Sequence, residues 1–172
     1  EVGRKKGRRT AGVRVVISEG DVLLGFIGDE KRMEPAAVSG VITEAEEIEK
    51  LCSGSSLYIV CTGDAFRTLP QGRYRSRRIG EFSAPGIAGE CLYDIFDSDP
   101  YALIKLKEQF SAEFAKAVSL FESGDFTAAR TRFMDIVKYA PDDGAARNYL
   151  YLAEHNINSG RRRLTYRIYA GS

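Results

Sequence analysis

Residues 17–33 read ISEGDVLLGFIGDEKRM, and their pattern of glycines and apolar residues predicts the fold of the first half of the chain. Glycine permits positive φ and close backbone approach, which turns and bulges between strands require. The apolar, β-branched residues around the glycines favour strands. The stretch therefore predicts a hairpin in which residues 13–17 form one strand and residues 22–27 form its partner. The glycines that punctuate it are Gly20, Gly25 and Gly28.

The same stretch resembles the second half of a class III adenylate/guanylate cyclase homology domain. The resemblance covers about residues 13–96 and implies an α+β fold with a partial, ferredoxin-like sheet. The implied order is strand, strand, helix, strand, short helix, strand, strand. The metal-binding aspartates of the family lie in its first half, which has no counterpart in this stretch. The matching positions are Gly20, Gly25, Gly28, Glu30, Arg32 and Met33.

The family's catalytic positions carry different chemistry here. In residues 37–51, AVSGVITEAEEIEKL, Thr43 replaces an Asn that orients the ribose, and Glu47 replaces an Arg that neutralises the triphosphate. Ala36 stands at the purine-contacting position and Pro85 at the phosphate-binding Lys. A carboxylate repels the phosphates whose charge the reaction must neutralise, and losing even one transition-state donor costs about 10²–10³ in rate. The resemblance thus implies a retained fold, an erased site and no cofactor.

Local helix chemistry offers a simpler reason for these residues. Residues 43–51 predict a helix in which Thr43 and Glu46 form a T-x-x-E capping box. Glu46 and Lys50 form an i,i+4 pair. Glu47 then lies on the solvent face. We favour this structural role for Thr43 and Glu47 over a new acid–base role.

Several arginines lie in or beside one of the strands predicted after this helix. Residues 57–61 predict a strand, residues 63–69 a short helix, and residues 74–79 and 91–96 two more strands. The basic strand face, which we expect to be exposed, could suit an anionic ligand or RNA. Pairing with the acidic helix or with a partner's carboxylates is the favoured interpretation. Its members are Arg73, Arg75, Arg77 and Arg78.

A helical unit follows, in which Asp99 is the predicted N-cap before Pro100. Residues 123–143, SGDFTAARTRFMDIVKYAPDD, resemble a tetratricopeptide repeat, whose small residues let two helices approach and whose aromatic residues fill the space between them. Asp142 or Asp143 is expected to cap a third helix over residues 145–156. The residues at repeat positions are Ala117, Leu120, Gly124, Phe126, Ala129, Phe133, Ile136 and Pro141, of which Pro141 ends the second helix.

One repeat cannot usually bury its own core. This one is expected to lean on the sheet, on a long helix from Tyr101, or on another chain. We therefore divide the chain into a basic arm (1–11), a cyclase-homology domain (12–97), a repeat-like helical domain (99–158) and a basic tail (159–172).

Composition excludes several classes of protein. The net charge of +1 hides basic clusters at residues 4–14 and 161–163, which we interpret as solvated tails, because the first lacks interleaved aromatic residues. The three cysteines, in positions without CxxC spacing, predict buried thiols in a reducing compartment rather than disulfides or a zinc site. They are Cys52, Cys61 and Cys91.

We expect a cytoplasmic location. The sequence contains no run of about 18 apolar residues, the length that would span a membrane. Many cyclases of this type follow membrane-spanning segments, so the resemblance also allows a membrane-associated full-length product. Glu1 stands where an initiator Met would be, which favours a fragment or a processed product.

These observations predict a catalytically inactive cyclase-like module that acts in signalling or assembly through protein contacts. A half-domain leaves open sheet edges, which favours a homodimer, and the repeat helices would dock a protein partner, as in bacterial signalling proteins that pair the two units. The alternative is the C-terminal part of an active cyclase making cyclic AMP or GMP from ATP or GTP. It would need Mg²⁺ or Mn²⁺ and a replacement cation from Arg32, Arg75 or Arg77. RNA or DNA binding is a weaker third hypothesis.

Overall fold

The computed structural model describes residues 13–29, 31–52, 55–84 and 87–159, and these form an α+β fold, as predicted. The order of elements is β1 (Val15–Ile17), β2 (Leu23–Asp29), β3 (Arg32–Val38), α1 (Gly40–Cys52), β4 (Ile59–Thr62), α2 (Gly63–Thr68), β5 (Ser76–Ala84), β6 (Ile87–Ile95), α3 (Tyr101–Gln109), α4 (Ser111–Glu122), α5 (Phe126–Tyr139) and α6 (Gly144–Ser159).

The main sheet has four strands in the order β1-β4-β6-β5, and β1 runs parallel to β4. The predicted pairing of residues 13–17 with residues 22–27 is therefore wrong. β1 pairs with β4 because Val16, opposite Val60, then packs against the main core. β2 instead pairs with β3, a strand that the sequence did not predict because Glu34 and Pro35 interrupt its apolar pattern.

The β2–β3 hairpin closes in a tight turn. The carboxylate Oδ1 of Asp29 accepts hydrogen bonds from the backbone N–H groups of Lys31 (2.9 Å) and Arg32 (3.0 Å). Gly28 has a φ of 152°, and a Cβ there would lie 1.8 Å from the carbonyl oxygen of Arg32. Only glycine fits this position. Gly25, by contrast, has open space around it.

Helix α1 begins at Gly40, three residues earlier than predicted. The hydroxyl Oγ of Ser39 accepts from the N–H of Val41 (3.1 Å) and donates to the carbonyl of Asp21. Thr43 therefore lies inside the first turn, and the predicted capping box is wrong. The ion pair of Lys50 is also corrected, since its Nζ contacts Glu47 at 2.7 Å rather than Glu46.

The predicted long helix from Tyr101 is two helices, α3 and α4, which meet at Phe110. Asp99 is not the N-cap of α3, because Pro100 takes that position and no side chain caps it. The Asp99 carboxylate instead lies 2.6 Å from the Nζ of Lys107. Ion pairing inside the protein thus overrides the local capping preference.

Helix α5 ends, and helix α6 begins, where the sequence indicates. Asp125 caps α5 through the N–H of Ala128 (3.0 Å), and α5 ends one residue before Ala140 and Pro141. Of the two candidate caps of α6, Asp143 is the one used, since its Oδ1 accepts from the N–H of Ala146 at 3.2 Å. α6 extends three residues beyond the predicted Asn156.

Sheet and helices share one hydrophobic core. Of the three supports expected for the helical repeat, two are observed within the described residues: the sheet, and the stretch after Tyr101, whose Phe110 and Phe114 contact Tyr139 and Phe133 of α5. Residues from both sides of the predicted boundary near residue 98 contribute to this core. The shared core includes Ile48, Val60, Ile79 and Leu92 from the sheet side and Phe114, Phe121, Phe133 and Tyr149 from the helices.

Tyr149 joins α6 to β5. Its ring stacks on Phe133 with centroids 4.8 Å apart, and its hydroxyl donates to the carbonyl of Ile79. Gly80 makes room for it: φ is 123° there, and a Cβ would lie 2.1 Å from the Tyr149 hydroxyl. The bulge in β5 is therefore shaped by the helical layer.

Candidate functional site

The family's catalytic positions do not form a charged site in this chain. Thr43 is exposed on the first turn of α1, and Glu47 is half-buried with Lys50 as its ion-pair partner. Ala36 lies half-buried in β3. Pro85 lies outside the described residues. The arrangement pairs Glu47 with a neighbouring lysine of the same helix, which is the ordinary role of a surface carboxylate.

The three candidate replacement cations all have carboxylate partners. Arg32 pairs with Glu34 near the hairpin tip, at 2.8 Å. It lies six residues before the end of β3, about 20 Å along an extended strand at roughly 3.3 Å per residue. Arg75 and Arg77 belong to the ion pairs described next.

The expectation of an exposed basic strand face is wrong for Arg77 and partly wrong for Arg78. Arg77 is buried, and Arg78 is half-buried. Arg78 binds Glu122 of α4 through both terminal nitrogens, at 3.0 and 2.7 Å. Pairing with carboxylates was the favoured interpretation, but the partners come from other elements than α1. Exposed Arg75 contacts Asp97 at 3.0 Å and Glu108 of α3 at 2.7 Å.

Arg77 lies at the centre of a buried ionic network, which we call the Arg77 network. Its guanidinium donates to both carboxylate oxygens of Asp143, at 2.7 and 2.6 Å, and through Nε to Asp94 at 3.1 Å. Lys107 contacts Asp94 at 2.8 Å and Asp99 at 2.6 Å. All five side chains are between 1% and 5% exposed. The network joins β5, β6, the Asp99 turn, α3 and the start of α6.

The Arg77 network holds three carboxylates and two cations, so it carries one surplus negative charge. Burial acts to raise the pKa of Asp143, but hydrogen bonds and charge from Arg77, the charge of Lys107 and the Ala146 amide lower it below its ordinary value. At Asp99 burial prevails, and the pKa is raised despite Lys107. The surplus charge is therefore least well compensated at Asp99.

The cysteines are free thiols. Cys52 and Cys61 are buried, and Cys91 is half-buried. Burial raises the pKa of Cys52 to about 12 and that of Cys61 to about 11. The prediction of buried thiols is confirmed for these two. Cys91 accepts a hydrogen bond from the Nε of Arg78, at 3.1 Å from its sulfur.

Most of the predicted basic tails lie outside the described residues, but Arg14 does not. Its side chain contacts Glu49 of α1 at 3.0 Å and donates to the carbonyl of Leu57 at 3.2 Å. Arg14 therefore ties the entry of β1 to α1 and is not part of a solvated tail.

The β2–β3 hairpin exposes the largest apolar side chains of the sheet region. The pairing register places Leu24 opposite Ala37, Phe26 opposite Pro35, and Gly28 opposite Met33, all on one face. That face carries no charged side chain. Leu24 is 76% exposed and Phe26 is 71% exposed. The other face adds Leu23, Ile27 and Val38, each more than 60% exposed.

A second apolar surface lies at β1, an edge strand of the main sheet. Val15 and Ile17 alternate with Val16, which packs on the core, and they lie on the opposite face of the sheet. Val13, Val15 and Ile17 are all exposed. The chain thus has two apolar surfaces that it does not cover with its described residues.

Within the described ranges, no group of three or more His, Cys, Asp or Glu side chains is placed to hold a metal ion. No helix among the described residues is both long and apolar enough to cross a membrane.

No protein-family model matches the chain, and no curated protein or solved structure shows significant similarity to it.

Proposed function

We propose that this chain is a catalytically inactive, cyclase-like module that works through protein–protein contacts and forms a homodimer through its β2–β3 hairpin. The observation that carries the proposal is the hairpin itself. Contiguous exposed apolar surface on a folded protein is usually an interaction site. A two-stranded hairpin is also only marginally stable alone, so a covering surface would stabilise it.

A second copy of the chain is the occupant that fits best. A two-fold interface can set a projecting surface of each chain against a receiving surface of the other. The hairpin provides the first, and the exposed face of β1, with Val13, Val15 and Ile17, provides the second. Two such contacts in one dimer would cover both apolar surfaces at once.

Gly25 supports a close contact at the hairpin. It lies in the middle of β2, opposite Ala36, and among the described residues other than its two chain neighbours no atom lies within 4 Å of where its Cβ would be. Glycine weakens a strand interior and often marks a place where another backbone approaches closely. The Gly25 and Ala36 pair forms a notch between larger apolar neighbours, which another chain can enter.

The helical layer contributes less to docking than the sequence suggests. Ala117, Ala129, Phe126 and Phe133 of the tetratricopeptide-like positions are buried in the core. These side chains hold the helices on the sheet. A docking role for the helices would therefore have to use their outer faces.

The alternative, an active nucleotide cyclase, has less support. Its reaction needs cations around a triphosphate. Arg77 is engaged by Asp94 and Asp143, Arg75 by Asp97 and Glu108, and Glu47 adds a negative charge at a family catalytic position. A site completed by another chain would have to supply both the metal ligands and the missing cations.

The homodimer is tested by measuring molar mass with light scattering over a range of concentrations. We expect a dimer for the chain and a monomer for Phe26→Glu, because the charge would have to be buried at the interface. Met134→Glu, on the exposed outer side of α5, is the matched control and should remain a dimer. A monomer mass for the unchanged chain at all concentrations would overturn the proposed dimer.

The inactive assignment has its own test. Thermal unfolding is followed with ATP and with GTP, each with Mg²⁺ or Mn²⁺, and any condition that responds is assayed for cyclic nucleotide. We expect no shift in the unfolding midpoint. A shift of several degrees together with cyclic product would revive the cyclase.

A further inference from the structure

Helix α3 contributes little to the hydrophobic core. Of its nine residues, Leu103, Ile104 and Lys107 are buried. Within the described part of the chain, neither cluster of packed apolar side chains includes a residue of α3, whereas α4 contributes Phe114 and Phe121 to the shared core. Segments with few buried apolar contacts open more easily than the core of a folded protein. α3 has the packing of such a segment.

A cleft of about 240 Å³ separates part of α3 from the loop that joins α5 to α6. Leu103 and Leu106 line the cleft on the side of α3, and Ala140 and Pro141 line it on the side of the loop. Side chains in a protein core are normally close-packed, and those that border an open space lose van der Waals contacts. The cleft therefore weakens the apolar attachment of α3 to the helical layer.

The strongest link between α3 and the sheet is ionic. Lys107 is the most deeply buried side chain of the helix, at 1% exposure. Its Nζ lies 2.8 Å from Asp94 of β6 and 2.6 Å from Asp99 in the preceding turn. Lysine is almost never fully buried unless it is paired, and the cost of taking its charge out of water is offset here only while α3 stays in place. A second pair, between Glu108 and Arg75, is exposed and contributes little.

Both ends of α3 are short joints. Before the helix, the N–H of Asp99 donates to the carbonyl of Phe96 in a turn, and none of the described side chains caps the helix at Pro100. After it, Phe110 ends α3 and precedes α4. The Phe110 ring stacks on Tyr139 of α5, with centroids 5.8 Å apart, and so holds this joint on the helical layer. Hinges are often a few residues at the ends of elements that absorb a change in φ and ψ.

We propose that α3 is a latch, which opens as a unit about its two end joints while the main sheet, α4, α5 and α6 stay folded. In the closed state the Lys107 ammonium lies between Asp94 and Asp99. Opening returns Lys107 and Asp99 to water, and it leaves Asp94 paired with Arg77 inside the fold. The latch is therefore held by charge, whereas α4, α5 and α6 are held by apolar packing.

Opening changes the surface that the chain presents. Leu103 and Ile104, which are 7% and 8% exposed in the closed state, become accessible. Neither residue belongs to the hairpin or to the exposed face of β1, so this apolar surface is separate from the proposed dimer interface. The latch goes beyond the proposed function and does not depend on it.

Native-state hydrogen exchange of the full chain, followed by NMR in increasing, sub-denaturing urea, tests the latch. Relative to their unprotected rates, we expect the amides of residues 105–109 to exchange at least about tenfold faster than those in the middle of α5. Their exchange should also depend less on urea, because a local opening exposes less surface than global unfolding. Amides of α3 that match those of α5 in rate and in urea dependence would overturn the proposal.

Lys107→Met removes the charge that holds the latch and keeps an unbranched side chain. Protection of the α3 amides should fall at least about a hundredfold, because Asp99 loses its partner, while the amides of α5 remain protected by the shared core. Lys105→Met, which removes an exposed lysine from the same helix, is the matched control and should change α3 exchange less than about fivefold. Equal effects of the two substitutions on α3 would contradict a latch at Lys107.

A gain in packing gives a test that leaves the Arg77 network intact. Ala102 lines the cleft from α3, and Ala102→Leu should fill part of it and slow α3 exchange about fourfold or more, the effect of one buried methylene group. Ala115→Leu makes the same substitution at an exposed position of α4 and should leave α3 exchange unchanged. This pair decides the question even if Lys107→Met does not fold. No slowing by Ala102→Leu, or equal slowing by both, would rule out the latch.

Discussion

The hairpin and the shared core contain similar apolar residues, but the hairpin exposes them and the core buries them. In the hairpin, Leu24 and Phe26 are more than 70% exposed, while in the core Phe133 and Ile79 are at most 1% exposed. Both sets lie in regular, well-paired elements. The difference is that α1, α4, α5 and α6 share a core with the main sheet, whereas the apolar side chains of the hairpin stay exposed among the described residues. An apolar pattern therefore identifies a surface that needs a partner, but not whether the partner belongs to the same chain.

Charged residues also differ in burial, and the Arg77 network shows this. Arg75 and Arg77 are two residues apart, yet Arg75 is half-exposed and Arg77 is enclosed by Asp94 and Asp143. The network lies where β5, β6, α3 and α6 meet. Its stability depends on the sheet and helices remaining together.

The largest expected effect is at Arg77. Arg77→Ala leaves three buried carboxylates with Lys107 as their remaining cation, so the free energy of unfolding should fall toward the upper end of about 3–5 kcal/mol. Arg75→Ala, which removes an exposed pair, should cost less than about 1 kcal/mol. Urea unfolding measures both. Equal losses would mean that the sheet and helices are not held together by this network.

Phe133 in the core and Phe26 in the hairpin test the comparison between these two regions directly. Phe133→Ala opens a cavity in the core and should cost about 3–5 kcal/mol. Phe26→Ala should change the free energy of unfolding by no more than about 0.5 kcal/mol when measured at a concentration that keeps the chain monomeric. A large loss at Phe26 under those conditions would show that the hairpin is covered by its own chain.

The two regions also differ in their glycines. Gly80→Ala should destabilise the chain by about 1–3 kcal/mol from backbone strain alone, and more from the clash with the Tyr149 hydroxyl. Gly25→Ala has open space and ordinary φ, so its effect on unfolding should stay below about 1 kcal/mol. Thermal unfolding compares the two. A loss at Gly80 that vanishes in the Tyr149→Ala background would assign the larger part to the clash.

The smallest effect is a dependence on pH. The pKa of Asp99 is raised above its ordinary 3.8 in the folded chain, so its contribution to stability decreases as pH rises from about 3.8 through the folded pKa. Asp143 has a lowered pKa, so its contribution is present above about 3.8 and is lost as pH falls below that value. Asp99→Asn and Asp143→Asn should therefore change the pH profile of urea unfolding in opposite directions. Profiles that change in the same direction would contradict this assignment.

Features that depend on neighbouring residues were predictable. The end of α5 before Pro141 and the cap of α6 at one of the two candidates, Asp142 and Asp143, follow from short-range geometry. The prediction erred at α1, because Ser39 and Thr43 are both favourable N-cap residues, and the contact of the Ser39 hydroxyl with Asp21, eighteen residues earlier, is not visible in the local sequence. β3 was missed because Pro35 and Glu34 resemble a loop until Phe26 and Ile27 pair with them.

The α+β class, the end of α5 before Pro141 and a cap of α6 at Asp142 or Asp143 follow from the sequence, because caps, turns and periodicity act over a few residues. The pairing of β1 with β4, the burial of Arg77 and the contact of Asp99 with Lys107 depend on the folded chain. Arg77 and Asp143 are 66 residues apart, and Asp99 and Lys107 belong to different local patterns. Their charges meet because burial of the shared core brings distant segments together, and inside that core an unpaired charge costs more than a lost cap.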